Sequence, residues 1–323
     1  MKPSTLAMAA ATCLALLSPV AAQAQWTAPE PAARCPSRWG AEDQRGAANH
    51  MNNPAVVTGG AQLIKQGRVA ELGRDLAAKM PLPGTRAFSM TPKRTIWDAD
   101  SGAGTNGRGS NEEIVTAEIG QVGTHLDSLV HNSIGQDLYN CFKNDQIATR
   151  AGSKKLGVEN VGTIFTRGVL IDVAALKGVD MLEDSYAITA QDLKDALTRQ
   201  KVGLRPGDAV LINTGWGKLW GKDNARYWKT APGLGVEAAE WLARQDPILV
   251  GSDNWGVDVE PNPIKGLYLP IHQIFLAVNG IYILENLKLD ELAAQGPGEF
   301  AFVLAPLKIV GASGSTVAPA ALW

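Results

Sequence analysis

The chain predicts a single α/β domain with a mixed β-sheet and flanking helices, and three observations carry that prediction. Short apolar runs alternate with helical patterns along the second half, no internal repeat interrupts them, and no linker-like stretch divides them. Residues 1–24, MKPSTLAMAAATCLALLSPVAAQA, carry a lysine at position 2, pass through an apolar centre and end in the small-residue pattern Ala22-Gln23-Ala24. This is the pattern of a cleavable secretory signal peptide, so the expected mature domain is 25–323, secreted or periplasmic. Cys13 lies inside the apolar region rather than at the cleavage point, which argues against a lipid-anchored cysteine.

Residues 25–45, rich in Pro, Ala and Arg, read as an extended arm leading to Trp39 and Gly40. Val56, Ala61, Leu63, Ile64 and Val69 then give a helical pattern before Gly73. The run SGAGTNGRGSN (101–111) reads as a mobile loop, and IVTAEI (114–119) as the strand that delivers the segment after it. Further on, GVLIDVAAL (168–176) reads as a buried strand, and Thr189 with Asp192 as a capping-box start to a helix. Pro206-Gly207 turns the chain into the strand DAVLINTG, and PILVGSDN and IYILEN are two more strands. FAFVLAPLKIVG contains Pro306, which predicts an edge strand or a bulge.

Composition narrows the function. Thirty Lys and Arg stand against 32 Asp and Glu, so no basic excess is available to neutralise phosphates, and nucleic acid is not an expected partner. After the leader no stretch approaches about 20 uninterrupted apolar residues, so no membrane span is expected. Cys35 and Cys141 remain outside the leader, and an oxidising compartment permits either a disulfide between them or two buried thiols.

The chemistry concentrates in EIGQVGTHLDSLVHNS (118–133), which holds two of the four histidines. In an extended segment residues two apart point to one side, so His125 and Asp127 can face one point in space. Gly123 lets the backbone approach closely, Thr124 can orient the first ligand through its hydroxyl, and His131 can converge if the chain turns. Imidazole and carboxylate together suit zinc, manganese or iron, although two histidines and an aspartate can equally hydrogen-bond within a loop. His272 in LPIHQIF and Glu285 at the end of IYIL strengthen the metal reading, because an unpaired carboxylate at the end of a buried strand is costly. His50, in GAANHMN, reads as a surface or capping residue. Trp216, Trp220 and Trp255 read as core or interface anchors, with stacking on an aromatic substrate as the alternative. No G-x-S-x-G elbow is present, which counts against a serine hydrolase.

At these residues the sequence resembles the cyclase family of metal-dependent hydrolases, which includes bacterial kynurenine formamidase and isatin hydrolase. Its motif is H-x-G-T-H-x-D-x-P-x-H, and QVGTHLDSLVH (121–131) matches at all but two positions. RWGAEDQRGAANHM, RGVLIDVA, LRPGDAVLINTGW, GSDNWGVDVEPNP, and LPIHQIF followed by ILENLKLDEL extend the resemblance in order along the mature chain. It implies a swivelling β/β/α fold and a homo-oligomer, with the arm at 34–39 as an exchange element between protomers. It also implies that His125 and Asp127 bind a divalent metal, zinc or manganese, with Asp127 able to bridge two ions, that His272 and Glu285 complete the second metal position, and that His131 carries protons.

Gln121 replaces the motif's first histidine and Leu129 its proline. An amide oxygen is a weaker ligand than imidazole, so one metal position is expected rather than two, with Gln121 the weakest candidate ligand. The implied activity is hydrolysis of an amide, cyclic amide or lactone carbonyl by metal-activated water, of the arylformamidase or isatin hydrolase kind. A signal peptide fits poorly with a step of cytoplasmic tryptophan catabolism. The competing reading is an exported small-molecule binding protein on the same scaffold with a degenerate metal site.

Overall fold

The structure is a computed structural model and describes residues 26–95, 105–106, 110–295 and 297–323. The expected leader, 1–24, lies outside the described residues, as does the expected loop 101–111 apart from 105–106 and 110–111.

In chain order the described strands are β1 (Val69–Glu71), β2 (Phe88–Thr95), β3 (Ser110–Ala117), β4 (His125–Asp127), β5 (Ala148–Thr149), β6 (Gly152–Ser153), β7 (Ile164–Asp172) and β8 (Ala187–Ile188). They continue with β9 (Ala209–Asn213), β10 (Gly233–Leu234), β11 (Leu249–Ser252), β12 (Tyr282–Glu285), β13 (Glu299–Leu304), β14 (Gly314–Thr316) and β15 (Ala320–Leu322). Nine of them form one mixed sheet in the order β1-β15-β13-β7-β9-β11-β12-β4-β14. The four strands from β7 to β12 run parallel at its centre, and antiparallel strands complete both sides. Every residue of β9, β11 and β12 is buried, which is why these segments read as unbroken apolar runs.

Helices cover the sheet. Pro54–Ala61 starts at Asn53, whose side chain accepts from the Ala55 amide, and it packs on β7 and β13. Gly60 makes the close approach possible, since a Cβ there would stand 2.7 Å from the Thr166 carbonyl carbon. Ala190–Gln200 begins with the capping box expected at Thr189 and Asp192 and packs on β7 and on Val236–Ala243. None of the described helices is long and apolar enough to cross a membrane.

Several sequence expectations are corrected. The helix holding Val56 and Ala61 ends there, and Val69 begins a strand that pairs with β15. The apolar run 168–176 divides at Asp172, whose side chain caps a helix, Val173–Lys177, by accepting from the Ala175 amide. The strand expected at 114–119 forms, but it pairs with β2 in a separate exposed hairpin. Pro306 produces neither an edge nor a bulge in β13, which lies between β15 and β7 and ends at Leu304, so the proline removes no ladder hydrogen bond. The arm is not extended throughout but contains a short helix, Pro31–Arg34. Buried Arg34 donates to Asp137 at 2.8 Å, and Cys35 and Cys141 form the disulfide. Closing a loop that long stabilises the fold by about 4–5 kcal/mol on the chain-entropy account.

Candidate metal centre

The sheet register builds the centre. In β4, His125 and Asp127 project to one face while Leu126 is fully buried in the core between them. Pairing with β12 sets Glu285 directly opposite His125, and β14 flanks the other side with Thr316 opposite His125. The His125 Nε2 lies 3.1 Å from Glu285 Oε2 and 3.8 Å from Asp127 Oδ1. His272, at the end of the turn Pro270–His272, brings its Nε2 to 3.2 Å from Glu285 Oε1 and 3.7 Å from Asp127 Oδ2. His131 closes the group with Nε2 3.9 Å from Asp127 Oδ2, its ring centroid 5.9 Å from that of His272. All of these except the half-buried His131 are buried.

Neighbouring groups fix how the rings face. His125 Nδ1 is 2.9 Å from the Gly123 carbonyl, which can only accept, so Nδ1 carries a proton and Nε2 is the ring atom turned toward the carboxylates. Gly123 itself has φ +64°, and a Cβ there would strike the Leu76 side chain. His272 Nδ1 pairs with Asp258 Oδ2 at 2.8 Å, which likewise directs Nε2 inward. Thr124 does not orient His125. Its hydroxyl donates to the Asn286 carbonyl at 2.8 Å and accepts from the Arg74 amide, tying the loop to the end of β12. The Asn286 side chain completes that tie by donating to the Gly123 carbonyl at 3.0 Å.

The electrostatics call for positive charge. His125 Nε2 and Asp127 Oδ2 are buried without a hydrogen-bond partner, a condition that costs about 1–3 kcal/mol per group when nothing binds there. Burial disfavours charge on His125 and His272, yet the surrounding carboxylates outweigh it and raise both pKa values, for His272 strongly. Burial also pushes Glu285 up, and the two imidazoles overcome it and hold the carboxyl well below its usual range. Protons on the rings answer this demand in the metal-free chain, and a divalent cation answers it without them. His125, Asp127 and Glu285 form one donor group that fits such an ion, and Asp127, His131 and His272 form a second that shares the same carboxylate. His131 differs: burial pushes its pKa down, against the pull of Asp127, so its ring is neutral near neutral pH.

Of the residues singled out from sequence, His125, Asp127, His131, His272 and Glu285 converge. Gln121 also reaches the centre, but with its amide nitrogen, which donates to Asp127 Oδ1 at 2.8 Å. His50 is remote in role, 3.2 Å from Asp246 and edge-on to Trp39. Trp216 is fully buried, with its ring nitrogen bonded to the Tyr227 carbonyl, as befits an anchor. Trp220 packs edge-on against Tyr227, and Trp255 lies tilted against Trp228. Sequence reasoning missed Asp258, Asn286 and Arg86. An aspartate flanked by valines, as in GVDVE, was the available signal for Asp258. A cavity of about 510 Å³ beside Ile188 and Glu237 shares no lining residue with the cluster, so converging polar atoms rather than that cavity identify the centre.

Comparison with known proteins agrees with this architecture. The chain is similar to a novel cyclase of known crystal structure, with 33% identity, a TM-score of 0.80, and coverage of 88% of this chain and 96% of that one. It is also similar to isatin hydrolase A from Ralstonia solanacearum, with 26% identity, a TM-score of 0.57 and coverage of 83% and 95%. An isatin hydrolase bound to the product analogue thioisatinate shares the fold at 22% identity, a TM-score of 0.56 and coverage of 86% and 98%. No functionally curated protein matches. The cyclase family model matches residues 72–259, more than half of the chain, a span that holds β4, His131 and Asp258. On that match and the 33% identical cyclase structure, the chain belongs to the cyclase family.

Proposed function

We propose that the protein is a metal-dependent hydrolase that cleaves an amide, cyclic amide or lactone carbonyl, with arylformamides and isatin-like heterocycles as the substrate class. The observation that carries the reading is the pair of orphaned buried atoms, His125 Nε2 and Asp127 Oδ2, facing Glu285 and His272. A divalent ion held there, zinc or manganese, supplies Lewis acidity that polarises a carbonyl and makes water a nucleophile near neutral pH. His125, Asp127, His272 and Glu285 hold the ion. Asp258 and the Gly123 carbonyl keep the two rings turned so that Nε2 faces inward. His131, neutral and next to the cluster, takes the proton of the attacking water on its ring and returns it to the leaving nitrogen or oxygen.

The mature chain, 25–323, acts outside the cytoplasm in this reading. The leader pattern supports that, and so does the Cys35–Cys141 disulfide, which persists in an oxidising compartment. A second copy of the chain is the expected partner, supported by the exposed apolar residues Met90, Ile114 and Val115 on the β2–β3 hairpin.

The test is elemental analysis of protein purified without chelator, beside a variant carrying His125→Ala and Asp127→Ala. The expected result is stoichiometric zinc or manganese in the native protein and none in the variant, with turnover of a formamide, an isatin or a lactone lost in parallel. A second reading, a small-molecule binding protein with a dismantled centre, is favoured by Gln121, whose amide occupies Asp127. Native protein that takes up no metal after reconstitution would replace the first reading with the second.

A further inference from the structure

Asp127 is met on one side by a group that cannot ligate a cation. Gln121 Nε2 donates to Asp127 Oδ1 at 2.8 Å, while its Oε1 accepts from Arg86 Nη2 at 3.1 Å. The other terminal guanidinium nitrogen, Nη1, donates to the Gln121 main-chain carbonyl at 2.8 Å. Arginine can only donate and a carboxylate can only accept, so these neighbours fix the amide's orientation. Turned the other way, it would set NH2 against guanidinium and oxygen against carboxylate, losing both side-chain bonds. The nitrogen that faces Asp127 therefore has no lone pair for an ion, and a permanent positive charge stands behind it.

The β2–β3 hairpin brings this pair together. Phe88 is in register with Ala117, so Arg86, just before β2, and Gln121, just after β3, meet at the hairpin's base. The Ala87 amide donates to Glu118 at 2.6 Å and closes that base. Two overlapping ligand groups then compete for Asp127: His125, Asp127 and Glu285 form one, and Asp127, His131 and His272 the other. One oxygen of the shared carboxylate is taken by Gln121 and the other is orphaned.

We propose that Arg86 and Gln121 act as a positioning pair that closes Asp127 Oδ1 and so restricts the centre to a single divalent ion. This rests on the reading of the cluster as a metal centre, and the test separates the two. Metal-free native protein, Gln121→Glu and Arg86→Ala are each titrated with Mn²⁺ alone, followed by calorimetric stoichiometry and by electron paramagnetic resonance. Gln121→Glu keeps the acceptor for Arg86 and exchanges only the closing nitrogen for an oxygen that can ligate.

One uncoupled Mn²⁺ per native chain is expected. Two spin-coupled ions are expected in Gln121→Glu, and a second, weaker ion in Arg86→Ala, whose amide is free to turn. Two ions in the native protein would overturn the proposal and leave the metal centre standing, a result that needs no variant to fold. A single ion in native protein and in both folded variants would overturn it as well. No ion in any of them would remove the metal centre itself, and the proposal with it.

Discussion

Two buried charge clusters lie on the same sheet, and they differ in whether their valences are met. Around Arg167 of β7 each guanidinium nitrogen has a partner. Nε donates to Asp208 at 2.9 Å, Nη2 to Asp208 and to the Gly203 carbonyl, and Nη1 to Glu299 of β13. Around Asp127 a ring nitrogen and a carboxylate oxygen, both buried, have no partner. Burial and charge are common to the two, so neither marks function. Unmet valences also occur singly at buried Arg34, Trp228 and Ser252, so what sets the Asp127 cluster apart is that its two unmet atoms lie within a set of donors that can hold a cation.

The sharpest way to test that contrast is His131→Ala. It should lower turnover by about 10²–10⁴-fold while metal content, read by elemental analysis, stays unchanged. Loss of the ion would make His131 a ligand rather than a proton carrier. Asp208→Ala comes next. Leaving the buried Arg167 without its main partner should cost about 3–5 kcal/mol in denaturant unfolding, with no change in metal affinity. A weakened metal site there would break the separation between the clusters. Asp258→Ala is expected to weaken metal affinity by about 10–100-fold, because His272 loses the partner that directs its ring.

The smallest effect is in acid. The ammonium of Lys143 holds the Asp137 carboxyl below its usual range, with the Arg34 guanidinium adding and burial opposing. A folded pKa below the unfolded one favours the ionised form in the native state. The contribution is thus present above the ordinary aspartate value of about 4 and is lost as pH falls through the lowered value. Melting temperatures should drop more steeply toward low pH in the native protein than in Asp137→Asn. Parallel curves would show that this ion group contributes nothing to acid stability.

Much of the centre was legible because strand periodicity is local. His125 and Asp127 alternate within one segment, and Glu285 ends an apolar run that could hardly bury a lone carboxylate. The helix start at Thr189 was legible for the same reason, since a capping box spans four residues. What escaped depends on partners distant in sequence. Asp258 meets His272 across 14 positions, and Arg86 meets Gln121 across 35, through a hairpin whose register no single segment encodes. Pro306 misled because a proline constrains a strand only where that strand still runs, and β13 had already ended. Val69 misled because an apolar residue that can extend a helical pattern serves equally well in a short strand.

The Cys35–Cys141 bond turns the first part of the chain into a covalent ring. Gln121, His125, Asp127 and His131 lie within that ring, whereas His272 and Glu285 lie beyond it. A single peptide cleavage anywhere between the two cysteines would therefore leave both pieces joined. On a denaturing gel such a nicked chain would migrate as one species until reductant is added, and would then separate into two. Integrity judged only without reductant would overlook damage to the segment that carries most of the centre.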